Sequence, residues 1–438
     1  MKKKLISLCL SFALAGGLGC GFDGAAHVSA EEGAFVMKVG ASVRLTDGNG
    51  IRFSAEISET EYQAIETESV SYGMLIMPAD YLSTHGGLTI ENVFGEKAVY
   101  DWAVWDEMAN DWSYTASESK TRIINLEYET LPSMDGKRVV NGSIVKILPQ
   151  NLDREFVGRA YIKEVTASGT SYRLADYYGG AVKNNTRSML SVAAMAYTNQ
   201  TTLTGAQRTA LKTEYIVGAG YETVSTVDEF SRIKSGKKYI LLNDLDFSGK
   251  AFGGGINVSG VLDGNGYALK NLTFSGADGQ GVFGEVSGTV KNMKIENLVF
   301  KGWDSGNSDS EFFQINDCAP VLRLTANGVL KNLCVSVTFN ATGGYSESIF
   351  DSDIERWYGN WNAGLVARAY GGAIDGCSVN LTLPRQNSYE DGTSGLCSVA
   401  SGCSVAVLDT VIYANGATVY EASDGFGTEL TFVGCEIK

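Results

Sequence analysis

The feature that most constrains this chain is a repeat in its C-terminal half. Segments beginning near Gly266, Thr289, Val329, Ala373, Val399 and Thr431 can be laid over one another. The first shared column is Leu269, Val290, Leu330, Ile374, Ala400 and Phe432. Three places on comes Leu272, Met293, Leu333, Cys377, Cys403 and Cys435. Two further on comes Phe274, Ile295, Val335, Val379, Val405 and Ile437. Every member is apolar or Cys. A gap of two keeps side chains on one face of a strand, whereas a gap of three breaks that period. The chain must therefore bend between the first and second columns. The residue at the bend is Asn271, Asn292, Asn332, Gly376, Gly402 or Gly434, the types that tolerate a left-handed backbone. Each unit is expected to be a strand, a left-handed corner and another strand, and stacking the units buries the columns in one core.

The intervals agree with this. Leu272 to Met293 is about one β-helix coil; Met293 to Leu333 and Leu333 to Cys377 are about twice as long, one coil plus an insertion. The expected class is mainly β: a right-handed parallel β-helix over residues 224–438, preceded over residues 33–220 by a β-sandwich-like module closed by one or two helices. A short helix near Val227, with Thr226 and Glu229 as its capping box, would cover the first coil's edge. The last coil ends on Ile437 and Lys438, so its edge needs either residues 421–429 folding back or a second copy making a dimer through that coil.

Residues 1–30 read as a signal peptide: Lys2, Lys3 and Lys4, an apolar run too short for the ~20 residues of a membrane span, and small residues at Val28-Ser29-Ala30. Lipidation at Cys20 is the alternative to a secreted or cell-surface product. A net charge of −15 argues against nucleic acid and anionic membrane as partners, and no membrane insertion of the mature chain is expected. Past residue 30 only His85 remains, so a clustered-histidine zinc site is excluded and no His-based triad can form in the C-terminal half.

Ser225-Thr226-Val227-Asp228-Glu229-Phe230, the run Tyr239-Ile240-Leu241-Leu242-Asn243-Asp244-Leu245-Asp246-Phe247, the run Gly260-Val261-Leu262-Asp263-Gly264-Asn265-Gly266 and Gly281-Val282-Phe283-Gly284 resemble GLUG-motif β-helices. That resemblance covers roughly residues 224–410. It implies a fold and a bacterial surface habitat, and no catalytic residues. Gly40-Ala41-Ser42-Val43-Arg44 and Arg159-Ala160-Tyr161-Ile162-Lys163, with the run from Tyr72 to Leu82, resemble a module of clostridial secreted proteins that carries no assigned activity.

The candidate binding residues lie in the two insertions. The first holds Trp303, Asp304, Asp309 and Glu311; the second holds Asp351, Asp353, Trp357, Tyr358 and Trp361. Aromatic faces stack on sugar rings and carboxylates accept hydroxyl hydrogen bonds, so an extracellular glycan or a surface protein is the expected partner. The competing reading lays these aromatics on the solenoid wall. No cofactor is expected, except that Asp304, Asp309 and Glu311 offer oxygens to a calcium ion. Trp102, Trp105 and Trp112 among acidic residues form a second aromatic cluster, with core packing as the alternative.

The expected function is non-catalytic: carbohydrate binding or adhesion at the cell surface. The alternative is a carbohydrate-active enzyme on a β-helix, using carboxylates such as Asp244, Asp246 and Asp263. Against it, Asp and Asn close tight turns through their side chains. Cys377, Cys403 and Cys435 are expected as a stack of buried thiols, with a Cys334–Cys318 disulfide as one further option.

Overall fold

The computed structural model describes residues 35–45, 49–65, 69–106, 111–114, 120–275, 279–301, 303–304, 313–314, 318–340, 349–351, 356–358, 362–382, 393–394, 396–399, 404–408, 411–415, 429–433 and 436–437. The protein is mainly β and builds several sheets, divided between a unit ending at Ala219 and one beginning at Gly220.

In the first unit, Gly50–Ser58 alternates strictly. Ile51, Phe53, Ala55 and Ile57 are fully buried, while Arg52, Ser54 and Glu56 stand on the other face. This strand lies between Val36–Met37 and Lys137–Val145, with Ser42–Arg44 also paired to it, all antiparallel. A seven-stranded sheet runs Gly169–Leu174, Glu155–Thr166, Val70–Pro78, Thr121–Tyr128, Tyr100–Asp106 and Asp111–Tyr114, with Thr186–Ser188 on Glu155–Thr166. The two sheets share one apolar core. They approach closely where side chains are missing: a Cβ on Gly158 would stand 2.5 Å from Phe53, and one on Gly142 2.3 Å from Met74. The expected helices are present. Met189–Asn199 is capped by Ser188, whose hydroxyl accepts from the Ser191 N–H, and Gly205–Ala210 carries the Thr204/Gln207 capping box. The strand Lys137–Val145 ends where Lys146 turns to φ +55°.

The second unit is built from two parallel sheets that the chain visits in turn. One includes Ile256–Val258, Phe283–Val286, Val321–Leu324, Val366–Ala369 and Cys397–Val399. The other includes Val261–Asp263, Thr289–Phe300, Val329–Phe339, Ala373–Asp375, Ser404–Leu408 and Glu429–Val433. The short helix Val227–Phe230 has its capping box and buries Phe230 in the core.

The corners behave as expected: φ is +59° at Asn271, +53° at Asn292, +53° at Asn332 and +60° at Gly376. Gly402 and Gly434 lie outside the described residues, as do Cys403 and Cys435. The columns hold in the middle of the stack. Val290, Leu330 and Ile374 are in register, Met293 pairs with Leu333, and Ile295, Val335 and Val379 are in register. Leu272, Met293, Leu333 and Cys377 are all buried.

Both ends of the alignment need correction. Leu269 pairs with Ile295, and Leu262 is the partner of Val290. Thr273 and Phe274 pair with Val299 and Phe300, so Leu272 sits one place before that pair and not beside Met293. At the other end, Ile374 pairs with Val407 and Val379 with Ile412, where Ala400 and Val405 were expected. Phe432 and Ile437 return to their expected columns through Val407 and Ile412.

A glycine column marks the turn between the sheets. Gly260, Gly288, Gly328 and Gly372 each stand one residue before a strand of the larger sheet. A Cβ on Gly288 would stand 2.1 Å from the Gly260 carbonyl oxygen, and one on Gly260 2.0 Å from that of Lys237. The obstacle is backbone, which cannot rotate away. Gly288→Ala is expected to cost about 1–3 kcal/mol, the range for overpacking. Urea unfolding followed by circular dichroism reads this, and an unchanged midpoint would remove the column's role.

Candidate functional site

The two insertions form antiparallel hairpins within a stack whose sheets are otherwise parallel. Trp303–Asp304 pairs with Phe313–Gln314, placing Trp303 opposite Gln314 and Asp304 opposite Phe313. Ile349–Asp351 pairs with Arg356–Tyr358. This register sets Phe350 opposite Trp357, Asp351 opposite Arg356 and Ile349 opposite Tyr358. Directly opposed positions are the pairs that interact across strands. The second hairpin thus gathers three aromatic positions, a carboxylate position and a cation position into three rungs. Asp309, Glu311, Asp353 and Trp361 lie outside the described residues.

The carboxylates that an enzyme would need are engaged in corners. Asp263 is 2% exposed; it accepts from the Asn265 N–H at 2.8 Å and from Asn292 Nδ2 at 3.2 Å, with Lys291 Nζ at 3.4 Å. Asn292 in turn accepts from Asn332 Nδ2 at 3.0 Å. A second ladder runs parallel to the first. Asn297 Nδ2 donates to Asn271 Oδ1 and Asn271 Nδ2 donates to Asp246 Oδ1, both at 2.9 Å. Donation from the Asn271 amide, followed by Ser248, holds the Asp246 carboxyl down at about 2. Asp244 accepts from the Ala268 N–H at 2.9 Å and meets Lys270 Nζ at 2.6 Å. These contacts fix one coil to the next.

Cys318 and Cys377 are buried thiols. Burial pushes the Cys377 thiol up to about 12, so it is a small apolar core member and not a nucleophile. Cys334 is disulfide-bonded, and because Cys318 is a thiol the Cys334–Cys318 pairing is overturned. Among the described residues no group of three or more His, Cys, Asp or Glu is placed to hold a metal ion, and no helix is long and apolar enough to cross a membrane.

In the first unit Trp102 is half-buried, edge-on to Phe94 at 5.6 Å. Trp105 and Trp112 share a register position in the hairpin of Tyr100–Asp106 and Asp111–Tyr114. Phe94 stacks flat on Tyr172 at 3.8 Å and meets Tyr161 edge-on at 5.1 Å. Trp102 therefore meets an aromatic cluster that sequence reading missed. Its one signal is that Tyr161 and Tyr172 lie in a single hairpin. His85 sits beside this region with Nδ1 2.6 Å from Thr84 Oγ1. No family model, curated protein or solved structure matches this chain.

Proposed function

We propose that this is an exported, non-catalytic protein that contacts glycans at the cell surface through hairpins carried on a right-handed parallel β-helix. The parallel pairing within its two large sheets, the left-handed corners and the inward apolar columns support the helix, and the facing sheets of the first unit support a sandwich there. The observation that carries the binding reading is the hairpin of Ile349–Asp351 and Arg356–Tyr358. A solenoid grows by parallel rungs, so an antiparallel excursion adds nothing to its core repeat. This excursion concentrates the residue types that recognise sugars. The signal-peptide pattern and the GLUG-like residues support an extracellular place, and the carboxylates engaged in the corner ladders favour binding over hydrolysis.

The test is a panel of plant, host and cell-wall polysaccharides assayed for both retention and cleavage. Retention without released oligosaccharide is expected, with at least about a tenfold loss of affinity in Trp357→Ala/Tyr358→Ala, as for a lost stacking anchor. Cleavage of any glycan by the intact protein would overturn the non-catalytic reading. Retention unchanged in the double variant would remove the hairpin from it.

A further inference from the structure

The first unit holds a buried cation without a counter-charge. Arg187 is 4% exposed, on the short strand Thr186–Ser188, where its cross-strand partner is Phe156. Burying a charge is costly unless it is paired and hydrogen-bonded. Only one corner of this guanidinium is so engaged: Nη1 donates to the Thr186 carbonyl oxygen at 2.6 Å and to that of Lys183 at 3.4 Å. Among the described residues, Nε and Nη2 meet no acceptor, and no carboxylate forms an ion pair with Arg187. Glu155, next to Phe156, acts on it only at a distance. Desolvation outweighs that attraction and pulls the guanidinium below its ordinary value.

The Nε–Nη2 edge lies against Gly40. A Cβ on Gly40 would stand 3.1 Å from Nε and 3.2 Å from Nη2, so any other residue would crowd the two unpaired donors. The fold fixes this glycine in place. Gly40 has φ +69°, and its N–H donates to the Asn184 carbonyl oxygen at 2.7 Å. The fully buried Asn185 donates through Nδ2 to the Lys38 carbonyl oxygen at 2.5 Å. The loop that carries Gly40 is thus tied twice to the segment that leads into Arg187. The Nε–Nη2 edge of a guanidinium presents two parallel N–H donors, the pattern that matches two oxygens of a carboxylate, phosphate or sulfate.

We propose that the Nε–Nη2 edge of Arg187, beneath Gly40, binds one small oxyanion, two of whose oxygens accept from the fork. Gly40 and Arg187 are both buried, so the ligand is a single carboxylate, phosphate or sulfate and not a polymer. Its charge supplies the partner that no side chain of the fold provides. The site belongs to the first unit and stands whether or not the hairpins of the second unit bind anything.

The test is calorimetric titration of the full chain with acetate, inorganic phosphate and sulfate, at an ionic strength held constant with sodium chloride. Saturable binding of at least one of the three is expected, and the anion preferred identifies the oxyanion. Arg187→Gln removes the charge, and Gly40→Ala places a methyl against the fork. Each should weaken binding at least about tenfold, the loss expected for a charge-assisted hydrogen bond. Thermal melts check that both variants fold. If neither does, NMR of the isotope-labelled parent decides: the Arg187 Nε–H resonance should move with the same saturation as the heat of binding. No saturable binding of any of the three anions, full affinity in either folded variant, or binding that leaves the Arg187 resonance unmoved would each overturn the proposal.

Discussion

Replacing Phe300 with alanine is expected to lower the stability of the second unit by about 3–5 kcal/mol, the range for a buried Phe truncated to Ala. Phe300 is fully buried between two further phenylalanines. Its ring centroid lies 5.6 Å from Phe274 and 5.0 Å from Phe339, each tilted by only 21°. The three are in register on neighbouring strands. The hole left by alanine cannot close, because backbone bonds fix the spacing of the coils: Lys301 N–H donates to Phe274 at 3.0 Å and Asn340 N–H to Phe300 at 2.8 Å. Phe300→Leu keeps most of the volume and should cost roughly 1–2 kcal/mol. Hydrogen exchange at the Lys301 and Asn340 amides reports on this region alone, which matters in a chain of two units. Protection in the alanine variant equal to that of the parent would show that the stack contributes nothing.

The position of Phe300 also shows where the sequence was legible and where it was not. The corner residues were readable because only a few residue types adopt φ > 0, and all four corners that can be checked do so. The register at the start of the stack was not readable, because Thr289–Phe300 carries two asparagine corners, Asn292 and Asn297, and not one. Asn271-Leu272-Thr273-Phe274 resembles Asn292-Met293-Lys294-Ile295, but its partner is Asn297-Leu298-Val299-Phe300. Asn297 has φ +56°, and the pairing to the next strand shifts between Ile295 and Leu298. That local irregularity displaces any ungapped alignment. The phenylalanine stack was hidden by the same slip, which put Phe274 over Ile295. The glycine column was visible one place before Val261, Thr289, Val329 and Ala373, but a pattern search on apolar columns passes over residues without side chains. Of the candidate binding residues, the sequence supplied the types, while the register Phe350 to Trp357 and Asp351 to Arg356 came only from the structure.

Asn292→Val should destabilise the same unit by about 3 kcal/mol, for two separable reasons. The backbone there is left-handed, and a β-branched side chain resists it at a cost of about 1–2 kcal/mol. The side chain is also a rung in a buried ladder, 8% exposed, donating to Asp263 and accepting from Asn332. Removing it leaves those two groups short of a partner, worth about 1–3 kcal/mol for a buried polar group. Asp263 keeps the Asn265 N–H and Lys291, so the loss there falls short of an uncompensated buried charge. Asn292→Gly separates the two terms. Glycine accepts φ +53° without strain and loses only the ladder, so it should be less destabilising than valine by about the torsional cost. Denaturant unfolding of the three proteins orders them parent, glycine, valine. Valine as stable as glycine would mean that the left-handed backbone is not what this corner demands of its residue. Glycine as stable as the parent would mean that the ladder is incidental, and that the stack is held at its corners by geometry alone.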